Sequence, residues 1–302
     1  MFTLQQSVNQ QVVLPRSDIE LYIKREDKLH DYVSGNKYRK LKYNLDTAER
    51  LGLKTLLSFG GAYSNHISAL ASAGQLLGFK TIGVIRGEEL HAQIDGNPTL
   101  QFAKQCGMQF KFVSRARYRL KTSASFLNDL KEEFGAFYLI PEGGTNALAV
   151  KGCEEILSEQ DSHFDYVCVS VGTGGTIAGI INCSKPGQQV LGFPALKGSF
   201  LHKDISKFVT KSNWKLVNDY HFGGYGKINA SLVAFINRFK REYGIPLDPI
   251  YTGKMLFGVM DLINKGFFPK GSKILTVHTG GLQGIPGMND WLVRKNLPKI
   301  II

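Results

Sequence analysis

A loop rich in glycine and threonine, Gly172-Thr173-Gly174-Gly175-Thr176, follows a short apolar run and precedes a helical pattern. Backbone N–H groups at a helix start attract anions, and the two threonine hydroxyls add hydrogen-bond donors, so the loop predicts a phosphate site. Its spacing is not GxGxxG, and no acidic residue lies about 20 residues further on, which disfavours a dinucleotide site. The missing GK[ST] excludes a P-loop. A tight turn without a ligand is the alternative.

Two lysines, Lys37 and Lys40, stand at the start of a segment with a helical apolar stripe. Residues three positions apart share one side of a helix, so the two amines would project together. A lysine at a helix start is usually solvated, because its stem can lie on the surface while the amine stays in water. Taken alone, this pair favours a solvated helix start over a site.

Glycine pairs connect these loops to one region of the fold. Four of the five Gly-Gly pairs directly follow a short apolar run: Gly60-Gly61, Gly143-Gly144, Gly174-Gly175 and Gly280-Gly281. Glycine lets a backbone that leaves a buried strand turn sharply and approach a ligand without a Cβ in the way. In open α/β sheets, ligands bind beyond the carboxyl ends of the strands. The pairs therefore predict one polar small-molecule pocket.

Short apolar runs alternate with helical patterns along the chain. The runs typical of strands are 54–59, 81–86, 109–113, 137–140, 166–171, 189–193 and 273–277, and the clearest helical patterns are 64–78, 176–183, 232–243 and 255–265. Such alternation indicates right-handed crossovers and mostly parallel sheets. A length of 302 residues exceeds the usual size of a single core. We therefore predict an α/β protein of two domains, each a mostly parallel twisted sheet flanked by helices.

Composition narrows the class of protein. The net charge is +12, but the basic residues are spread along the chain and no nucleic-acid-binding module accompanies them, so we expect no nucleic-acid partner.

The four cysteines form no CxxC pair, which suits a reducing compartment better than a disulfide framework or a metal site. No apolar run is long enough to span a membrane, and residues 1–10 lack a signal-peptide pattern. We expect a cytoplasmic protein without a membrane partner.

Several motifs together resemble those of one family, the pyridoxal-phosphate enzymes of the 1-aminocyclopropane-1-carboxylate (ACC) deaminase / D-cysteine desulfhydrase type. They are KRED at 24–27, GNKYRK at 35–40, GGAYSNH at 60–66, PEGGTN at 141–146, DPIYTGK at 248–254 and HTGG at 278–281. Their order and span make the resemblance cover nearly the whole chain. It implies the fold type II architecture of tryptophan synthase β-like enzymes, with a large cofactor-binding domain at 1–44 plus 145–302 and a small substrate-side domain at 45–144.

The resemblance implies pyridoxal 5'-phosphate as the cofactor. Lys37 would form the Schiff base with it, which requires an amine whose charged form is disfavoured by its surroundings. Asn65 would hydrogen-bond the ring hydroxyl oxygen, and Thr279 would contact the pyridine nitrogen. The phosphate would be held by the glycine loop with help from Lys40, the loop residues being Gly172, Thr173, Gly174, Gly175 and Thr176.

The resemblance also implies substrate contacts, from Ser64, Asn65, His66, Tyr251 and Thr252. Ser64 would bind the substrate carboxylate or assist proton transfer at Cα. Tyr251 would stack beside the ring or relay a proton. The catalytic residues would then be Lys37, Ser64 and Tyr251.

Two positions bear on the reaction. Cyclopropane-opening deaminases of this family carry Glu and Leu where this chain has Thr252 and Thr279, and both departures weigh against ring opening. A neutral hydroxyl cannot keep the pyridine nitrogen protonated, which favours expulsion of a β-leaving group over transamination. We therefore predict a D-cysteine desulfhydrase-like α,β-elimination that gives pyruvate, ammonia and sulfide.

Other interpretations stay open at this point. Within the family these are ACC deamination or action on another D-amino acid, and outside it a non-catalytic protein that binds a phosphate ligand. The segment 193–226 is atypical of the family and could select an amino acid with an acidic side chain. Enzymes with this resemblance are commonly homodimers, so a homodimer is expected.

Overall fold

In the computed structural model, residues 7–15 and 17–301 are described. The strands are β1 (Asn9–Val12), β2 (Glu20–Lys24), β3 (Thr55–Gly60), β4 (Lys80–Arg86), β5 (Gln109–Val113), β6 (Tyr138–Ile140), β7 (Tyr166–Val171), β8 (Gln189–Pro194), β9 (Trp214–Leu216) and β10 (Lys273–Val277). The helices are α1 (Asn36–Arg50), α2 (Asn65–Leu77), α3 (Pro98–Gln105), α4 (Arg115–Tyr118), α5 (Ala124–Phe134), α6 (Ala147–Cys153), α7 (Gly175–Cys183), α8 (Phe200–Ser206), α9 (Ala230–Tyr243), α10 (Thr252–Asn264) and α11 (Ile285–Arg294).

The strands form two sheets, which confirms the predicted α/β class. The larger sheet has the order β1-β2-β10-β7-β8-β9, and the smaller one has the order β5-β4-β3-β6. Every neighbouring pair is parallel except β1 and β2. The N-terminal strand β2 pairs with β10, near the other end of the chain. The domain boundaries at 44/45 and 144/145 stay a prediction, and α1 runs without interruption through the first of them.

The local sequence explains the elements that carry the site. Strand β7 is apolar along almost its whole length and buried, as expected for a parallel strand covered on both faces. Helix α2 begins where the Ser64 hydroxyl accepts a hydrogen bond from the backbone N–H of Ile67, at 3.3 Å. It ends at Gly78, whose φ of +75° closes the last turn. No helix among the described residues is long and apolar enough to cross a membrane.

Helices α1, α6 and α7 pack unusually closely through two glycines. A Cβ at Gly152 in α6 would lie 1.9 Å from the carbonyl oxygen of Arg39 in α1. A Cβ at Gly179 in α7 would lie 2.5 Å from the Cβ of Cys153 in α6. Neither position has room for a side chain, so the three helices hold the start of α1 at a fixed distance from the start of α7.

We expect Gly152→Ala to destabilise the protein by about 1–3 kcal/mol, because its methyl group would be forced against the Arg39 carbonyl. The measurement is the free energy of unfolding in urea. Gly96→Ala is the matched control, since the nearest atom to a Cβ there lies 3.8 Å away, and it should stay within about 0.5 kcal/mol of the parent. Equal stability of the two variants would contradict the tight helix packing.

Candidate active site

One cavity brings together residues from loops that are far apart in the sequence. It is lined by nine of the predicted site residues: Lys37, Lys40, Asn65, Gly172, Thr173, Gly174, Thr176, Tyr251 and Thr279. They come from the starts of α1, α2 and α7, the N-cap of α10 and the loop after β10. Of the four predicted glycine pairs, those at 143–144, 174–175 and 280–281 each supply at least one lining residue, whereas the pair at 60–61 supplies none.

The start of α1 is seated directly on the loop after β10. Gly35, the N-cap of α1, has a φ of +59°, and a Cβ there would lie 2.2 Å from the carbonyl oxygen of Thr279. Only glycine adopts this conformation at this distance without a clash. The contact sets Lys37, two residues further on, beside Thr279 in the cavity wall.

Lys37 is half-buried in the wall of the cavity. Burial, together with the positive charge of Lys40, lowers the pKa of Lys37 to about 7. Within residues 7–15 and 17–301, no carboxylate forms an ion pair with Lys37. Near neutral pH, the amine therefore loses its proton far more readily than a solvated lysine does, and in its neutral form it can act as a nucleophile or a base.

Lys40 links two loops from within the cavity wall. Its Nζ donates hydrogen bonds to the carbonyl oxygen of Gly143 at 3.1 Å and to the hydroxyls of Thr145 at 3.0 Å and Thr173 at 3.4 Å. Burial lowers the pKa of Lys40 as well. In the described residues no carboxylate pairs with this ammonium, so it adds positive potential beside the glycine loop.

The glycine loop fits an anionic group. A Cβ at Gly175 would lie 2.9 Å from the Thr145 hydroxyl and 3.3 Å from Lys40 Nζ, so a side chain there would fill the space before the first turn of α7. The backbone N–H groups of this turn are free to point at a ligand. The Thr176 hydroxyl accepts a hydrogen bond of 2.8 Å from Asn36, which fixes its orientation. The backbone N–H donors, the dipole of α7 and the nearby ammonium of Lys40 together suit a phosphate.

Several other lining residues of the cavity have neutral polar side chains. The Thr279 hydroxyl lies 3.3 Å from the hydroxyl of Ser170, another lining residue. Burial, followed by the nearby Tyr225, raises the pKa of Tyr251 well above its usual value, so its phenol keeps its proton throughout the working pH range. Asn65, the first residue of α2, borders the same space.

Three predicted substrate contacts are hydrogen-bonded within the protein. Ser64 caps α2. Nε2 of the buried His66 lies 2.8 Å from the hydroxyl of Ser58, while burial and the charges of Lys37 and Lys40 keep the pKa of His66 well below its usual value. The Thr252 hydroxyl donates to a carboxylate oxygen of Asp248 at 2.7 Å. As substrate contacts, these three residues stay predictions.

Two further cavities adjoin this one, and the sequence motifs did not mark most of their residues. The second cavity, of about 300 Å³, reaches Lys37 and Asn65 and is otherwise lined by residues that include Asp27, Asp31, Ser34, Thr99, Phe102 and Gln283. The third cavity, of about 240 Å³, reaches Asn65 and Tyr251 and is otherwise lined by residues that include Tyr63, Tyr225, Ile250, Met288, Trp291 and Arg294.

Tyr225 is the clearest omission from the sequence prediction. Its ring centre lies 6.3 Å from that of Tyr251. Lys254 holds the preceding loop by donating to the carbonyl oxygens of His221 at 3.0 Å and Gly224 at 2.9 Å. The available signal was the fifth Gly-Gly pair, which directly precedes Tyr225 but follows no apolar run.

Comparison with known proteins identifies the family of this chain. Residues 11–280 match the family described as "Pyridoxal-phosphate dependent enzyme". The chain belongs to this family. The residues around Lys37 and the glycine loop fit its cofactor, because they offer a neutralisable amine and a phosphate site in one cavity. The predicted dependence on pyridoxal 5'-phosphate is thereby confirmed.

Individual relatives narrow the type of enzyme. A putative ACC deaminase of Pyrococcus horikoshii is 33% identical over 293 residues, which cover 91% of this chain and 88% of the relative. A bifunctional mitochondrial D-cysteine desulfhydrase/ACC deaminase of Arabidopsis thaliana is 31% identical, over 88% of this chain and 73% of the relative. A crystal structure of an ACC deaminase homologue superposes with a TM-score of 0.81 at 28% identity, covering 96% of this chain and 94% of that one. The predicted family and its fold type II architecture are confirmed, and this pyridoxal-phosphate enzyme is a lyase of the ACC deaminase / D-cysteine desulfhydrase type.

The lowered pKa of Lys37 predicts how cofactor-free protein takes up pyridoxal phosphate. The reactive neutral amine predominates above pH 7 and is lost below it, so the uptake rate should fall about tenfold per pH unit below a midpoint near 7. Lys40→Met removes a neighbouring positive charge and should move the midpoint to higher pH. The measurement is the rate of appearance of visible absorbance as a function of pH.

Lys42→Met is the control for this experiment. Lys42 lies on the same helix, but its amine pairs with Glu155 at 2.7 Å and does not border the cavity. Its replacement should leave the midpoint unchanged. A parent midpoint near the ordinary lysine value of about 10.4 would contradict the burial of the Lys37 amine.

Proposed function

We propose that the protein eliminates the β-substituent of a small amino acid, and that it converts D-cysteine to pyruvate, ammonia and sulfide. The observation that supports this most strongly is the combination, in one cavity, of the Lys37 amine with its lowered pKa and the neutral hydroxyl of Thr279. When bound, pyridoxal phosphate draws electrons away from the α-carbon of the attached amino acid. The protein has to hold this group, orient the substrate and move protons.

The cofactor-binding roles follow from the lining of the cavity. The loop from Gly172 to Thr176 and the ammonium of Lys40 would hold the phosphate, and Asn65 would hydrogen-bond the ring hydroxyl oxygen. Thr279 would contact the pyridine nitrogen. The neighbour of the Thr279 hydroxyl is the hydroxyl of Ser170. A carboxylate in place of the Thr279 hydroxyl would keep the pyridine nitrogen protonated. A neutral contact favours loss of a β-leaving group over transamination.

The proton-transfer roles rest on the two shifted pKa values. In its neutral form, Lys37 would take the α-proton of the substrate and hold that proton on its amine within the cavity. Tyr251, which stays protonated, would donate to the departing sulfur or stack beside the ring.

The substrate carboxylate would lie at the start of α2. Ser64, Asn65 and His66 form this helix start, whose partial positive charge attracts an anion. His66 would support this helix start through its contact with the Ser58 hydroxyl. Thr252, bonded to Asp248, would orient the neighbouring Tyr251.

A substrate panel tests the proposed reaction. Purified protein loaded with the cofactor is incubated with D-cysteine, L-cysteine, D-serine and ACC, and pyruvate and 2-oxobutyrate are measured. We expect pyruvate and sulfide from D-cysteine, complete loss of turnover in Lys37→Ala, and unchanged turnover in Lys42→Ala. Formation of 2-oxobutyrate from ACC alone would contradict the proposal and support ring opening, the activity in the names of several relatives.

Tyr251→Phe tests the proton donor separately. The substitution keeps the ring but removes the hydroxyl, so we expect kcat for D-cysteine to fall about 10²–10⁴-fold, the usual contribution of a positioned acid or base. The visible absorbance of the bound cofactor should persist, because Lys37 is untouched. An unchanged kcat would exclude Tyr251 as the proton donor and leave only the stacking role.

Location and assembly belong to the same proposal. A cytoplasmic, reducing environment suits the four cysteines, which are free thiols, and burial raises the pKa of the Cys153 thiol to about 11, so it is unreactive. We further propose a homodimer, as the family resemblance implies. Light scattering after gel filtration measures the assembly directly.

A further inference from the structure

We propose that the third cavity receives the β-substituent of the substrate, and that the enzyme cleaves S-substituted cysteines whose thiol part is apolar or aromatic and ends in an anion. This inference rests on the proposed β-elimination and specifies its substrate class.

The third cavity opens onto the reaction site. Asn65 and Tyr251 line both it and the cavity that contains Lys37. Its volume is about 240 Å³, whereas one water molecule occupies about 30 Å³ in the liquid. The sulfur of free cysteine would leave most of this space empty, so the cavity has room for a substituent as large as a benzyl group.

The wall of the cavity favours an apolar substituent. Its side chains include the aromatic rings of Tyr63 and Trp291 and the flexible apolar chains of Ile250 and Met288. Such walls gain from burying hydrocarbon and impose little directional requirement on it. Tyr225 also lines this cavity.

One cation lines the cavity. Arg294 lies in the last turn of α11, its side chain is exposed, and in the described part of the chain its guanidinium has no ion pair or hydrogen bond. A guanidinium binds carboxylates in a two-pronged geometry. An apolar chain that starts at the β-carbon and ends in a carboxylate would match this arrangement.

The second cavity is unsuited to the same substituent. The Thr99 hydroxyl and Gln283 Nε2 are buried there without a hydrogen-bond partner in the described residues. An apolar chain would leave both unpaired, which is costly, and the exposed carboxylate of Asp31 would repel an anion. The substituent is therefore assigned to the Tyr251 side of the site.

The chemistry balances with water as the only co-reactant. Removal of the α-proton is followed by cleavage of the bond between the β-carbon and sulfur, and the electron pair leaves with the sulfur. The thiolate takes a proton and departs as a free thiol. Hydrolysis of the remaining aminoacrylate then gives pyruvate and ammonia.

The test compares kcat/KM for four compounds: D-cysteine, S-methyl-D-cysteine, S-benzyl-D-cysteine and S-(4-carboxybenzyl)-D-cysteine. Pyruvate and the released thiol are measured for each thioether. We expect the benzyl compound to exceed the methyl compound by about tenfold or more, and the carboxybenzyl compound to exceed both. In Met288→Trp, which fills part of the cavity, the benzyl-to-methyl ratio should fall.

Arg294→Glu and Lys295→Glu separate a local contact from a general charge effect. Both reverse one exposed positive charge at the end of α11, but only Arg294 lines the cavity. We expect Arg294→Glu to lower the carboxybenzyl-to-benzyl ratio about fivefold through KM, and Lys295→Glu to change it less than twofold.

The outcomes distinguish this inference from the function on which it rests. Pyruvate from D-cysteine with none from the benzyl and carboxybenzyl compounds would overturn the inference and leave the proposed β-elimination intact. Pyruvate from none of the four compounds would overturn the proposed β-elimination itself. Equal effects of the two charge reversals would overturn the assignment of Arg294 to the anion.

Discussion

The active site is built around a half-buried amine, Lys37, that has no carboxylate partner in the described part of the chain. An unpaired and partly desolvated charge is costly, so Lys37 gives up its proton more readily than a solvated lysine does. The surroundings enforce this in two ways. They shield the amine partly from water, and they add the positive charge of Lys40 nearby. A carboxylate in the same position would have paired with the amine and made it inert.

Glycine contacts maintain this arrangement at several points. Gly35 presses the start of α1 onto the Thr279 carbonyl, and Gly152 lets α1 approach α6. Gly175 leaves the first turn of α7 open beside Lys40. Each contact is a close approach that a side chain would block. The amine, the anion-binding turn and the neutral hydroxyl thus meet in one cavity although they come from three separate parts of the chain.

Short-range patterns were enough to predict the parallel core and the glycine loops. Strand β7 and the turn after it are readable because an apolar run followed by glycines constrains the local backbone. Strand β2 was missed, since it is short and its last residue, Lys24, is buried only because it pairs with Asp161 at 2.9 Å, 137 residues away. Such a long-range pair leaves no local pattern.

The site residues likewise divide into those that local motifs predict and those whose positions depend on long-range contacts. The positions of Lys37 and Thr279 follow motifs, whereas the position of Tyr225 beside Tyr251 depends on Lys254, which holds the preceding loop by two carbonyl groups. The environment of His66 was also unpredictable, because Ser58, its partner, lies on the preceding strand and carries no motif. The parts of the site that the sequence alone did not mark are therefore those whose positions depend on long-range contacts.

The covalent attachment of the cofactor to Lys37 can be tested directly by peptide mapping. The loaded protein is reduced with borohydride, digested and mapped by mass spectrometry, so that the residue carrying the reduced cofactor is identified. We expect a single modified peptide with the label on Lys37. A label on Lys40, or no label on any lysine of a protein that shows the visible absorbance of the bound cofactor, would contradict it.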